Sequence, residues 1–146
     1  FKADSRAFLD GSVGIVHGSR KKLAGYLPRV TVVVHGEEAV LEQVTKQLSK
    51  LEDVIEIEEL EPGTSVCREL ILVRVAVNEI QRPEVVSVAD IFRANVVDVA
   101  KNSLMIELTG DASKLDAFLE LLTGYEILGI ARTGLTGLCR GSAVKK

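Results

Sequence analysis

Residues 103–133 carry two hydrophobic periods in succession. Over residues 103–109 apolar and polar side chains alternate, with Leu104, Ile106 and Leu108 on one parity. That is the period of a half-buried strand. Gly110 interrupts it, and Asp111 offers a side-chain oxygen to cap a helix. Leu115, Phe118, Leu119 and Leu122 then recur at helical spacing and share one face. Gly124 suits the left-handed residue that ends a helix, and residues 127–133 read as a second strand. The pattern predicts a strand–helix–strand unit.

The same unit lies earlier in the chain. A shift of 74 positions brings Gly36 onto Gly110, Glu37 onto Asp111, Leu41 onto Leu115 and Leu48 onto Leu122. Two copies point to two similar modules in tandem. In the first, residues 30–35 predict a strand and residues 37–51 a helix striped by Val40, Leu41, Val44 and Leu48; residues 54–59 predict a second strand. Glu61-Pro62-Gly63-Thr64-Ser65 is a turn sequence and the expected boundary, giving modules 1–61 and 62–146. In the second module, residues 68–77 predict a long strand. A helix is expected over residues 83–94 with Pro83 at its first position, then a strand over 95–100 and a turn at Lys101-Asn102.

The expected fold class is therefore α+β: two ferredoxin-like βαββαβ modules, the C-terminal one complete and the N-terminal one incomplete or divergent. Residues 1–28 are the least patterned. Ala7-Phe8-Leu9 suggests a short strand, and the three glycines of residues 10–18 predict a loop or distorted turn. The expected C-terminal core is Leu70, Leu72, Val88, Phe92, Leu104, Ile106, Leu115, Phe118, Leu119 and Leu122, with both helices on one sheet face. Val32, Val33 and Val34 are apolar on both faces of one strand, which predicts a homodimer through the N-terminal module.

Composition narrows the function. Apolar residues make up 47% of the chain but aromatics only 4%, so the cores are aliphatic. A net charge of −3 runs against nucleic-acid binding. No apolar run reaches the ~18 residues that span a bilayer, and no signal peptide is visible, the chain starting at Phe1. Cys67 and Cys139 support neither a disulfide framework nor a zinc site, which points to a reducing compartment, the cytoplasm or alternatively the plastid stroma.

No catalytic set is legible. His17 and His35 are scattered, too few for a metal site, and neither cysteine has a neighbouring histidine to activate it. The acidic run of residues 52–61 reads as a solvated strand face. The glycines of residues 10–18 suggest an anion cradle, but the run lacks the Gly-Lys-Ser ending of a P-loop. Arg132 and Arg140, within the glycine-rich run of residues 132–141, mark either a polar tail or an edge that binds a partner or anion.

One resemblance is specific. The ordered series Arg68-Glu69-Leu70, Phe92-Arg93-Ala94, Val97-Asp98, Glu107-Leu108-Thr109-Gly110-Asp111 and Arg132-Thr133-Gly134 resembles the small regulatory subunit of acetohydroxyacid synthase (acetolactate synthase) over residues 29–141. The resemblance implies an N-terminal ACT domain, a C-terminal ferredoxin-like domain and a homodimer. It implies no catalysis on this chain and no cofactor of its own. The implied partner is the large catalytic subunit, which carries thiamine diphosphate, FAD and Mg; the small subunit activates it and confers feedback inhibition by valine or another branched-chain amino acid. The effector turn of the family is echoed here only by Asp10 and the run Gly14-Ile15-Val16, so Asp10, Ser12, Val13 and Gly14 are the nominated effector residues and Arg132 and Arg140 the nominated partner contacts. Two rivals remain: a free-standing ACT-type amino-acid sensor, and an acylphosphatase-like hydrolase using Asn78 and Arg82.

Overall fold

The computed structural model describes the backbone of residues 14–19 and the whole of residues 29–141. Its contacts group into two units. Unit 2 is Arg68–Gly134, and unit 1 holds Phe1–Cys67 together with Leu135–Lys146. The division falls a few residues beyond the turn at residues 61–65, and residues 135–141 rejoin the first unit.

Unit 2 contains most of β4 (Ser65–Ala76), then α2 (Gln81–Ile91), β5 (Asn95–Val99), β6 (Ser103–Gly110), α3 (Ala112–Leu121) and β7 (Ile127–Arg132). The strands run antiparallel in the order β5-β6-β4-β7, the ferredoxin-like arrangement. β4 alternates strictly: Ile71, Val73 and Val75 are buried, and they stand opposite Leu108, Ile106 and Leu104 of β6. Val85 and Ala89 of α2 and Leu115, Phe118 and Leu122 of α3 and its cap close over this layer in a single cluster. Both helices therefore cover one face. Phe118 meets Phe92 edge-on, with ring centroids 5.4 Å apart and planes at 65°, a favoured geometry for aromatic pairs.

The parity of β4 is opposite to the one expected. Leu70 and Leu72 lie half-buried on the face away from the helices, and Ile71 and Val73 fill the core. Every residue of Leu70–Val73 is apolar, so the local pattern has no period there. Charge does not break the tie, because Arg74 sits on one parity and Glu69 on the other. Of the remaining expected core, Leu104, Ile106, Leu115, Phe118 and Leu122 are buried, while Val88, Phe92 and Leu119 pack against it half-exposed.

Capping explains the helix starts. Asp111 accepts from the Lys114 backbone N–H at 2.9 Å, as an N-cap should. α2 begins two residues before Pro83, so the proline stands inside the first turn and not at its first position. The side chain of Asn78 accepts from the N–H groups of Ile80 and Gln81, and that turn of chain sets where α2 begins. α2 ends with Arg93 at a φ of 55°, the left-handed conformation that usually falls to glycine.

Unit 1 holds β1 (Gly14–Ser19), β2 (Arg29–Val33), α1 (Glu38–Leu48), β3 (Val54–Leu60) and β8 (Thr136–Cys139). Its sheet has the order β2-β1-β3, every pair antiparallel. Residues 14–18 of the glycine-rich stretch expected to be a loop thus belong to the central strand, and residues 10–13 lie outside the described residues. Glycines at Gly14 and Gly18 weaken the local signal, and backbone pairing on both sides compensates. Ala7-Phe8-Leu9 lies outside the described residues. The run expected to be a polar tail or edge is also ordered: β8 pairs β4, and Leu135 is buried with Leu60 and Cys67. Gly137 is required there, since a Cβ would stand 2.7 Å from both Cys67 Sγ and Leu60 Cδ1.

The parity of β4 gives the first prediction. Ile71→Ala should cost about 2–5 kcal/mol in urea unfolding. Leu72→Ala should cost less than half as much, since its side chain already touches water. Equal losses would mean that β4 is registered the other way.

Candidate functional site

The nominated residues fall in different places. Asp10, Ser12 and Val13 lie outside the described residues. Gly14 opens β1, registered with Val33 on one side and Leu60 on the other. Arg132 and Arg140 belong to different units, so each has its own surroundings.

Arg132 ends β7 against Glu69. Its Nε donates to Glu69 Oε1 at 2.9 Å and its Nη2 to Oε2 at 3.0 Å, a fork of two parallel hydrogen bonds. Glu69 is 2% exposed, so its charge is held inside by this guanidinium. Thr133 continues the attachment: its N–H donates to the Leu70 carbonyl and its hydroxyl accepts from the Leu70 N–H. Sequence reasoning nominated Arg132 and passed over Glu69. The missed signal was a charged residue on the parity that Ile71, Val73 and Val75 mark as buried. Arg140 is exposed, and its backbone N–H donates to the Thr64 carbonyl.

The residues of the hydrolase rival are occupied structurally. Asn78 holds the start of α2, and Arg82 Nη2 donates to the carbonyls of Ala100 and Lys101 at the β5–β6 turn. The Cys139 thiol is not activated. The Cys139 thiol is pushed up from its ordinary value, first by donating a hydrogen bond to Glu58 and then by burial, which disfavours the thiolate. Among the described residues no group of three or more histidine, cysteine or acidic side chains is placed to hold a metal.

Two surface features remain. In unit 1 a groove of about 530 Å³ runs between α1 and β3, lined by Glu38, Leu41, Glu42, Thr45, Lys46 and Glu59. Glu42 and Lys46 form an exposed i,i+4 ion pair along its α1 wall at 2.6 Å. In unit 2 the sheet face without helices has a depression of about 280 Å³ over Gly129, walled by Leu72, Arg74, Met105, Ile130 and Ala131. Among the described residues neither brings together a group of side chains that could hold a metal.

An antiparallel sheet in the 2-3-1-4 order with both helices on one face makes unit 2 a ferredoxin-like α+β domain. A family model described as the small subunit of acetolactate synthase matches residues 68–141, slightly more than unit 2. A probable acetolactate synthase small subunit from Methanothermobacter thermautotrophicus is 49% identical over 117 residues, which is 80% of this chain and 70% of that protein. One from Archaeoglobus fulgidus is 46% identical over 116 residues, covering 80% and 72%. The crystal structure of the acetolactate synthase small subunit from Thermotoga maritima superposes with a TM-score of 0.74 at 30% identity, over 93% of this chain and 84% of that one. The chain belongs to the acetolactate synthase small-subunit family.

Two predictions follow from the geometry of these residues. Arg132→Ala leaves a buried carboxylate without its partner and should destabilise by about 2 kcal/mol, the half-exposed arginine softening the larger loss of a fully buried pair. Thermal unfolding checks it; an unchanged midpoint would free Arg132 for a partner role. Asp111 has its carboxyl held below the ordinary value, first by the Lys114 backbone N–H and then by the Ser113 hydroxyl. Its cap therefore stabilises fully above the unfolded aspartate pKa and is lost as pH falls through the lowered folded one. Asp111→Ala should cost about 1 kcal/mol at neutral pH, with the two chains converging in strongly acidic buffer.

Proposed function

We propose that this chain binds the large catalytic subunit of acetolactate synthase, raises its activity and makes it sensitive to valine or another branched-chain amino acid. What carries the reading is the match of residues 68–141 to the small-subunit model together with relatives of that name at 46–49% identity. The chain contributes no catalytic group in this reading. The chemistry, with thiamine diphosphate, FAD and Mg, resides on the partner, and the small subunit acts by shifting the partner between states of different activity. A homodimer is part of the proposal: Val32, Val33 and Val34 of the β2 region are half-buried within one copy and have apolar area left to cover.

The effector reading rests on Asp10, Ser12, Val13 and Gly14, where backbone N–H groups would receive an amino-acid carboxylate and an aliphatic face its side chain. Two measurements test the two halves of the proposal. Mixed with the large subunit, the chain should co-elute with it and raise its turnover; separate elution at micromolar concentration rules out the partnership. Calorimetry should give a saturable heat with valine, leucine or isoleucine. Silence with all three, while the large subunit still binds, removes the effector role and leaves the activator.

A further inference from the structure

The two faces of the unit 1 sheet are set by register. On the central strand β1, Gly14 stands between Val33 and Leu60, and Gly18 between Arg29 and Glu56. Registered residues share a face, so one face carries Arg29, Thr31 and Val33 of β2 and Glu56, Glu58 and Leu60 of β3. α1 lies on the other face, where it forms its groove with Glu59 on the opposite parity of β3. What covers the first face is a segment from the far end of the chain. β8 approaches β1, β2 and β3 alike, as a segment laid over the face does and an edge strand does not. Leu135 is buried with Leu60 and packs with Val33. The Gly137 N–H donates to Thr31 Oγ1 at 3.1 Å. The Cys139 thiol donates to Glu58, which Arg29 Nη1 also holds at 3.2 Å. The Arg140 N–H, on the Thr64 carbonyl at 2.8 Å, fixes the last residue. All of these partners belong to unit 1. Glycine in a strand marks a place where another backbone comes close, and here Gly14 and Gly18 of β1 lie under the strap that contains Gly137.

We propose that residues 135–140 are a latch that exchanges between a seated and a released state on this face, and that binding of the amino-acid effector to unit 1 drives it to the seated state. The inference rests on the effector reading above. The seat is tight but narrow. A Cβ at residue 137 would stand 2.7 Å from both Cys67 Sγ and Leu60 Cδ1, so backbone and sheet are in close contact there. Yet Leu135 is the one side chain of the segment that is fully buried, and Leu138 is 55% exposed. A segment held by so few contacts opens before the sheet beneath it. Gly134, with a φ of 78°, is the joint at which the chain leaves β7 for the latch. The link to the effector lies in the row of Gly14, the described member of the nominated effector set. Leu135 packs with Val33 and Leu60, the two residues registered with Gly14. A ligand that fixes Gly14 fixes the row that receives Leu135. By linkage, seating the latch then strengthens the ligand in the same measure.

The test uses the full chain as Cys139→Ser, which keeps a hydroxyl for Glu58 and leaves Cys67 the only thiol. Cys67 is 8% exposed, beneath Gly137, so its labelling by dithiobis-nitrobenzoate reports the released fraction. Labelling should depend on urea far less steeply than global unfolding followed by circular dichroism, the mark of a local opening. Thr31→Val removes the acceptor of the Gly137 N–H and should speed labelling about tenfold, the order expected for one lost hydrogen bond. Thr31→Ser keeps the hydroxyl and should leave the rate near that of the parent. A Thr31→Val chain that does not fold is replaced by Leu135→Ala, which should act in the same direction. Valine, leucine or isoleucine at saturation should slow labelling about fivefold or more. Labelling that follows global unfolding, or that ignores Thr31→Val, overturns the latch. An amino acid that gives a saturable heat in calorimetry but does not slow labelling overturns the inference and leaves the effector reading standing. No heat with any of the three overturns both.

Discussion

Everything in the second unit hangs on β4 being paired along both edges while one of its faces is sealed from water. Ile71, Val73 and Val75 have no exposed surface, and each faces an equally buried residue of β6. The two helices cover that face with Val85, Ala89, Leu115, Phe118 and Leu122. Their placement follows from the sheet, with Phe118 wedged beside Phe92 where they meet. A charge on that sealed face must bring its own partner, and this is what Glu69 and Arg132 do. Their fork ties the start of β4 to the end of β7, so an electrostatic requirement of burial fixes the edge strand of the sheet.

How far the sequence reveals this depends on how sharply each segment separates its faces. β6 was legible because Ser103, Glu107 and Thr109 set a polar parity against Leu104, Ile106 and Leu108, and α3 because Asp111 marks its first turn. β4 was legible as a strand and illegible in its facing, since its centre is apolar at every position. β1 and β8 were missed for another reason. Both are glycine-rich, and their stability comes from backbone pairing with distant segments and from close approach at Gly137, neither of which leaves a local period. Of the nominated site, only Gly14, Arg132 and Arg140 lie among the described residues, and the partner of Arg132 was the residue that pattern reading had no means to supply.

The repeat carries through to the structure with one telling exception. β2 and α1 stand 74 positions before β6 and α3, and β3 before β7 to within a residue or two. β1 does not obey the shift, yet it takes the place in unit 1 that β4 takes in unit 2, between the counterparts of β6 and β7. What differs is the connection. Unit 2 uses residues 77–102 to pass from β4 to β6 by way of α2 and β5, whereas unit 1 passes from β1 to β2 through residues 20–28. No strand flanks β2 on the side where β5 flanks β6, so β2 is an edge of its sheet among the described residues.

Two arginines near the same strand show why residue type alone does not locate a binding surface. Arg132 and Arg74 are both long, cationic and next to apolar neighbours. Arg132 meets a carboxylate that is 2% exposed, and its removal strands that charge in a dry place. Arg74 meets none among the described residues, and its removal strands no described charge. A desolvated arginine gains from a partner only when the carboxylate is positioned to receive it. For Arg132 the fold has already done the positioning. For Arg74 no described carboxylate is positioned to receive it, so the same residue type on the same sheet contributes to folding through the apolar neighbours beside it and not through a charge pair.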